Sequence, residues 1–440
     1  MANAQGYQQG RILMNSFVDF CKKIFNIRQL IILSLGFASG FPLLLTGSTF
    51  KLWLAQDGVD IKTIGLMSLV GTAYSLKFFW APLIDRYYIS YLGRRKTWIF
   101  ISQVFLAFGL FMMSSLNPLT DGLGLLAGWA VFVAFMSATQ DTAIDAYRRE
   151  YLTDEELGLG SSMNVYGYRI AMLVAGGFLV SLVSDNSAVV AASSTGLSGI
   201  ISWNQFYQIS SLIMVVLALI TFFIPEPKSE AAPKTLFGAF FEPFKEFFMR
   251  KEALFILLFV FLFKLGDQIS GSLLTPFYKS MGYTNVEIGL ITKTYGLFST
   301  LAGLFVGGIA LLKFGIRKCL WTFGILQALS TASFAVVTLT GPVIWSLSFA
   351  VIFEDFSSGM GTAAFTAYIA SVTNTRFTAT QFALLTSFAT LGRTLFSGGS
   401  GFLQDAVGWA GFFYAGALLA IPGLFVLWLM NKKYPIPHHN

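Results

Sequence analysis

Residues 29–50, QLIILSLGFASGFPLLLTGSTF, run for 22 residues without a charged side chain. A helix of that length rises about 33 Å, enough to cross the ~30 Å hydrocarbon layer of a bilayer. Gly and Pro in its middle do not exclude a spanning helix, because neighbouring helices can satisfy the freed backbone groups. Comparable stretches recur along the whole chain, at 64–84, 97–115, 123–147, 161–184, 203–224, 253–277, 287–311, 319–339, 343–372, 378–404 and 409–430. The pattern therefore predicts an all-α polytopic membrane protein with twelve transmembrane helices.

Composition agrees. Of 440 residues, 55% are hydrophobic and 12% charged, against about 25% charged in a soluble domain. The 42 glycines fit closely packed membrane helices. A soluble enzyme, a nucleic-acid binder and a disulfide-stapled secreted domain are excluded. Cys21 and Cys319 cannot build a disulfide framework. The first 28 residues lack the apolar core and cleavage site of a signal peptide.

Lys and Arg fix the expected orientation. One set of alternate loops with the two termini carries 21 of them, and the opposite loops carry only Lys51, Lys62 and Lys279. Both termini are thus predicted to be cytoplasmic, with Cys21 and Cys319 near that face. The expected organisation is a cytoplasmic segment 1–28, a six-helix bundle 29–224, a cytoplasmic connection 225–252, a second six-helix bundle 253–430 and a tail 431–440. In the connection, Phe237, Phe240, Phe241, Phe244, Phe247 and Phe248 recur at helical spacing beside Lys245 and Arg250. That spacing predicts a helix lying on the membrane surface.

The halves resemble one another at an offset of about 221–224 residues. Gly58 with Ile64-Gly65-Leu66 answers to Gly282 with Ile288-Gly289-Leu290, and Gly93-Arg94-Arg95-Lys96 to Gly315-Ile316-Arg317-Lys318. Arg169 aligns with Arg393. A parallel repeat of this kind suits two bundles that rock around a site at the bilayer midplane.

Ionisable side chains inside spans are costly and mark function unless they pair with one another. Here there are five acids (Asp141, Asp145, Asp267, Glu354, Asp355) and five bases (Lys77, Arg169, Lys264, Lys293, Arg393). Asp141 and Asp145 share one face of the fourth span, with Gln140 beside them. Asp145, close to Arg148, Arg149 and Glu150, suits a gate ion pair; Asp141, a turn deeper, suits a cavity. Lys264 and Asp267, three apart, either neutralise each other or line the pathway. Glu354 and Asp355 are adjacent and face different directions, so at most one lines a cavity; two carboxylates so close repel, which favours a proton on one. Lys77 and Arg393 need partners from other helices or from a solute, and Lys293 is near enough to its helix end to snorkel.

The two histidines, His438 and His439, lie in the tail, so any proton carrier must be a carboxylate. No phosphate-binding loop, HExxH, CxxC pair or GxSxG elbow occurs, so neither a cofactor nor a metal is expected and enzymatic chemistry is unsupported.

Asp85-Arg86 followed by Gly93-Arg94-Arg95-Lys96 resembles the G-x-x-x-D-R-x-G-R-R signature of the major facilitator superfamily. Ala81 replaces the first glycine, and six residues rather than one separate Arg86 from Gly93. Longer segments resemble the AmpG-type muropeptide permeases of that superfamily: LGFASGFPLLLTGSTFKLWL, IKTIGLMSLVGTAYSLKFFWAPLIDRY, SATQDTAIDAYRREYL, GYRIAMLVAGG, FKLGDQISGSL, FEDFSSGMGTAAFTAYIA and TATQFALL. The related acetyl-CoA transporter branch matches these motifs less well.

The resemblance implies the major facilitator fold and proton-driven import of GlcNAc–anhydro-MurNAc peptides across the bacterial inner membrane. These are products of cell-wall turnover, so the process would be peptidoglycan recycling, tied in many bacteria to β-lactamase induction. It implies a cytoplasmic lock in Asp85, Arg86, Gly93, Arg94 and Arg95, to which Asp145 and Arg148 are added as gate residues. The residues are compatible with a solute and proton pathway through Lys77, Gln140, Asp141, Arg169, Lys264, Asp267, Glu354, Asp355 and Arg393. Asp141 is the first candidate proton carrier, then Glu354 or Asp355. Tyr74, Tyr147, Tyr166, Tyr168, Tyr295 and Trp80 either face sugars or simply pack. The expected partners are the muropeptide, protons and the bilayer, with no nucleic acid and a monomeric protein. Another anionic solute, or a membrane receptor for wall fragments that moves nothing, is the alternative.

Overall fold

The computed structural model describes residues 26–119, 122–183, 200–228, 235–397 and 400–433. Cys21, His438 and His439 lie outside these residues, as do the side chains of Lys62, Lys293 and Arg393. The described chain is nearly all helical, and its only β pairing is two isolated bridges.

The first span is α1 (Ile27–Thr46), capped by the Asn26 side chain, continued as α2 (Ser48–Gln56). The second span departs from the single helix expected. It is a chain of short pieces: α3 (Ile61–Leu66), a 3₁₀ stretch Met67–Gly71, α4 (Thr72–Leu76), a second 3₁₀ stretch Lys77–Phe79, and α5 (Ala81–Arg86). Pro82 explains the last break: it offers no N–H and crowds the carbonyl four residues back, so it is accommodated in the first turn of a new helix. Then come α6 (Arg94–Ser114), α7 (Leu123–Tyr151) and α8 (Leu157–Leu173), the last widening to a π turn at Val174–Phe178 before α9 (Leu179–Ser181). α10 (Trp203–Phe223) starts with a reciprocal Ser202–Gln205 capping box.

In the connection, α11 (Leu236–Phe248) buries Ala239 and Phe247 and exposes Phe237, Phe241 and Phe248. The second half begins with a span split into α12 (Ala253–Leu262), α13 (Leu265–Ser272) and α14 (Leu274–Ser280). The break at Leu273 lies three residues before Pro276, for the reason given at Pro82. α15 (Asn285–Leu290) leads through a π segment, Ile291–Gly296, into α16 (Leu297–Thr340). Two expected spans meet inside α16 with no loop between them, turning on Gly315 at φ 78°, ψ 162°. α17 (Ile344–Val372) and α18 (Thr378–Ser397) follow, then α19 (Ser400–Leu418), which turns at Gly408, and α20 (Ala420–Lys433). Gly93, matched to Gly315 by the repeat, has φ 94°, ψ 172°. Both sit where essentially only glycine is comfortable.

Eight stretches among the described residues are long and apolar enough to cross a membrane, and one of them, Glu287–Thr340, holds two spans. The segmented 61–86 region, α17 and α18 bring the crossings to the twelve expected. Small residues let the helices touch by backbone, as membrane packing requires. Gly36 and Gly167 bring α1 against α8, and Gly303 and Gly359 bring α16 against α17. Rows of apolar side chains face outward, among them Phe105, Phe108 and Phe111 on α6 and Leu212, Val215, Val216 and Leu219 on α10.

Candidate solute pathway and gate

The irregular second span delivers Lys77, at the start of its second 3₁₀ stretch, to α7. Its Nζ lies 2.5 Å from Asp141 Oδ2 and 3.9 Å from Asp145 Oδ2. Ser39 of α1 donates to the other Asp141 oxygen at 2.6 Å. Arg148 completes the cluster, 3.1 Å from Asp145 Oδ1, with its guanidinium 5.3 Å from the Phe382 ring of α18. Two cations and two carboxylates therefore balance one another. Asp145 pairs with Arg148 and also approaches Lys77, which finds its partner Asp141 on another helix. Gln140 is fully buried, and neither of its amide atoms has a partner among the described residues.

The C-terminal half has a different cluster. Lys264, at the break before α13, lies 3.1 Å from Asp267, which also accepts from Gln327 Nε2 at 2.6 Å. Lys264 and Asp267 thus form an ion pair three residues apart. Glu354 turns toward α16, where Ser330 and Thr331 hydroxyls lie 2.7 and 3.3 Å from its Oε2. Asp355 accepts from Thr300, on the arm of α16 before the Gly315 turn, at 3.3 Å, whereas Ser330 and Thr331 lie on the arm after it. Gly296, closing the π segment, makes room for that carboxylate: a Cβ there would run into Asp355 Oδ2. Arg393 is on α18, its side chain outside those described.

Between the halves, Arg169 of α8 faces Asp355 and Thr300 across a small cleft of about 70 Å³, with Ser358 and Thr362 on its wall. Arg169 makes no ion pair within 4 Å among the described residues. A guanidinium without an ion pair in a cleft between the halves is suited to bidentate contact with a carboxylate.

At the end where the basic loops gather, the halves are bolted together. Asp85, fully buried at the end of α5, lies 2.9 Å from Arg95 Nη2 and 3.3 Å from Arg94 Nη2. Its oxygens also accept from the α18 backbone, Ala379 N at 3.2 Å and Thr380 N at 2.9 Å, and from the Thr380 hydroxyl at 2.6 Å. A carboxylate from one half thus caps the positive end of a helix in the other. Arg95 bonds Glu150 at 2.5 Å, Thr378 donates to Glu150 at 2.7 Å, and Arg94 donates to the Arg376 carbonyl at 2.8 Å. Arg86 lies over the Tyr87 ring, 5.2 Å from its centroid.

Gly93 sets the start of α6, whose first amides, Arg95 N and Lys96 N, donate to Glu226 at 2.7 and 3.0 Å. Burial pushes the Glu226 carboxyl up, while those two amides pull it back. α11 straps the same end: Glu246 takes Arg250 at 2.8 Å, Asn374 at 3.2 Å and a short bond from Gln381. Sequence reasoning missed Glu226, Thr378 and Thr380 at the basic end and Ser39, Gln327 and Ser330 in the clusters. A lone acid just past a span end, and hydroxyls opening the TATQFALL segment, were the signals available. Tyr147 packs, buried and donating to the Pro225 carbonyl at 2.6 Å.

Comparison with known proteins places this geometry. The Major Facilitator Superfamily pattern matches residues 32–397 and again 265–440. The chain is 38% identical over 402 residues to the anhydromuropeptide permease of Escherichia coli K12, covering 91% of this chain and 79% of that one. It is 36% identical over 421 residues to the putative transporter AmpG 4 of Rickettsia felis, covering 93% and 98%. Among solved structures it superposes on the transporter FucP in the outward conformation with a TM-score of 0.69 at 15% identity, covering 92% and 99%. The proton:xylose symporter XylE gives 0.66 at 12% identity, covering 94% and 96%. Helical architecture and relatives agree: the chain is a multi-pass membrane transporter belonging to the AmpG-type permeases of the major facilitator superfamily.

Proposed function

We propose that this transporter imports GlcNAc–anhydro-MurNAc peptides from periplasm to cytoplasm for peptidoglycan recycling, driven by protons, through alternating access of bundles 29–224 and 253–430. The observation that carries the reading is Arg169, unpaired in the cleft between the halves and facing Asp355. A carboxylate of the anionic solute binds Arg169. The name of the 38%-identical permease supplies the solute class.

The excess of Lys and Arg supports both termini in the cytoplasm of an inner-membrane protein. On that orientation the bolted end is the cytoplasmic gate, and this conformation receives solute from the periplasm. Opening to the cytoplasm withdraws Asp85 from the α18 amides. The protein works as a monomer, because solute, cleft and gate all lie within one chain.

The test is uptake of labelled GlcNAc–anhydro-MurNAc peptide into proteoliposomes, with and without an imposed pH gradient. Gradient-dependent accumulation is expected, and Arg169→Ala should lower apparent affinity at least about tenfold, the value of one charge-assisted contact near 1.4 kcal/mol. No uptake by folded protein would overturn the solute; equilibration without accumulation would overturn the coupling.

A further inference from the structure

The two half-molecule clusters differ in charge balance. In the N-terminal half, Lys77 and Arg148 match Asp141 and Asp145, and Asp141 already takes Lys77 and Ser39. In the C-terminal half, Lys264 and the Gln327 amide are both spent on Asp267. Glu354 makes no ion pair within 4 Å among the described residues, and its side-chain hydrogen-bond partners there are the Ser330 and Thr331 hydroxyls.

Those hydroxyls are informative. Ser330 Oγ lies 3.0 Å from the Gln327 carbonyl oxygen and 2.7 Å from Glu354 Oε2. A serine hydroxyl has one proton to give. Given to Glu354, it leaves a carboxylate held by hydroxyls without an ion pair; given to the Gln327 carbonyl, it leaves the 2.7 Å contact to be filled by a proton on Glu354. A bare carboxylate within a membrane span, short of cations, is the costly alternative. The groups facing Glu354 are Asp267 and Lys264 beside α13, Tyr278 on α14 and Asp355 on its own helix. α18, which also packs nearby, contributes Arg393, outside the described side chains.

We propose that Glu354 is the proton-binding site of the transport cycle, holding its proton by donating to Ser330. This rests on the proton-coupled import reading above, and it moves the carrier from Asp141 to the other half. Asp355, the next residue on α17, lines the solute cleft beside Thr300, while Glu354 meets the arm of α16 after the Gly315 turn. One helix therefore carries both sites, and its movement links solute occupancy to proton occupancy. The proton reaches a Glu354 oxygen from the side opposite the bolted end. It leaves to water on the basic side once that end opens.

The test uses the full chain in proteoliposomes with labelled GlcNAc–anhydro-MurNAc peptide, comparing wild type with Glu354→Gln. The amide keeps a donor toward Ser330 and imitates the protonated acid. One pH unit supports about tenfold accumulation per coupled proton. Wild type should approach that level, whereas Glu354→Gln should stop at equilibration while still exchanging labelled for unlabelled solute. That exchange should depend on pH in wild type and not in the variant. Accumulation by Glu354→Gln overturns the proposal, as does loss of exchange together with accumulation, which would mark a structural or solute-binding role. Wild type that exchanges without accumulating overturns the coupling reading itself, a failure visible before any variant is made.

Discussion

Asp85 is a fully buried carboxylate serving two arginines and the first turn of a helix from the other half. Removing its charge leaves Arg94 and Arg95 buried beside a neutral amide, and breaking such a pair costs about 3–5 kcal/mol. Opening keeps Asp85 with Arg94 and Arg95, which share its half, so that cost is common to both conformations; the weakening of its charge-assisted bonds from the α18 amides and the Thr380 hydroxyl falls on the bolted conformation alone. Asp85→Asn should therefore open the basic end, seen as a longer distance between spin labels on the exposed Tyr91 and Lys245; an unchanged distance distribution would refute this role. Gly93 gives a sharper comparison. Alanine there meets an unfavourable backbone region costing about 1–3 kcal/mol and also collides with Glu226, whereas Gly315 has the same kind of backbone with nothing near its missing Cβ. Gly93→Ala should consequently lower the melting temperature more than Gly315→Ala, and equal losses would mean the Glu226 contact carries no energy.

The elements that depart from plain helix are the ones that place charge. Lys77 opens a 3₁₀ stretch, Lys264 stands at a break, and the Ile291–Gly296 π segment ends where Asp355 approaches. Such departures are concentrated at functional positions in helical proteins. Gly296→Ala tests the link: a methyl there displaces the Asp355 carboxylate, so the half-saturation concentration should rise about tenfold, or near 1.4 kcal/mol. Unchanged half-saturation would show that the site tolerates the shift. These breaks were partly legible. Pro82 and Pro276 announce interruptions, and the paired turn glycines follow from the repeat. Helix number and the charged residues were readable because each is a property of one segment against the bilayer. Which charges meet was not, because pairing depends on how far helices lie apart. Lys77 with Asp141, 64 residues distant, and Asp85 with Thr380, 295 distant, carry no local spacing signal. Lys264 with Asp267 did, being three residues apart on one chain segment.

At the scale of the whole molecule, the halves meet along two unlike seams. In one, α8 and α16 interlock through small residues: Gly158 lies against Leu311, and Gly308 against Ser162. In the other, α5 and α7 join α18 through Asp85, Glu150, Thr378 and Thr380. Close packing is lost steeply with separation, while charged groups that part can be rehydrated and offset part of the cost. On the alternating-access proposal the polar seam is the one that parts at lower cost, while Gly158 and Leu311 of the small-residue seam lie toward the same basic end, near the start of α8 and the Gly315 turn. A covalent bridge across the polar seam should trap the present conformation. Cysteines at Glu150 and Thr378, in a chain with Cys21 and Cys319 replaced by alanine, bring two thiols to positions whose native side chains lie 2.7 Å apart. Joined by a short bifunctional thiol reagent, they should abolish uptake of labelled muropeptide while leaving its binding intact, since the cleft at Arg169 lies away from the bridge. Cleaving a reducible linker should restore transport to the level of the unbridged double variant. Continued uptake with the bridge closed would show that solute passes without parting this seam, and the gate assigned to Asp85 would fall with it.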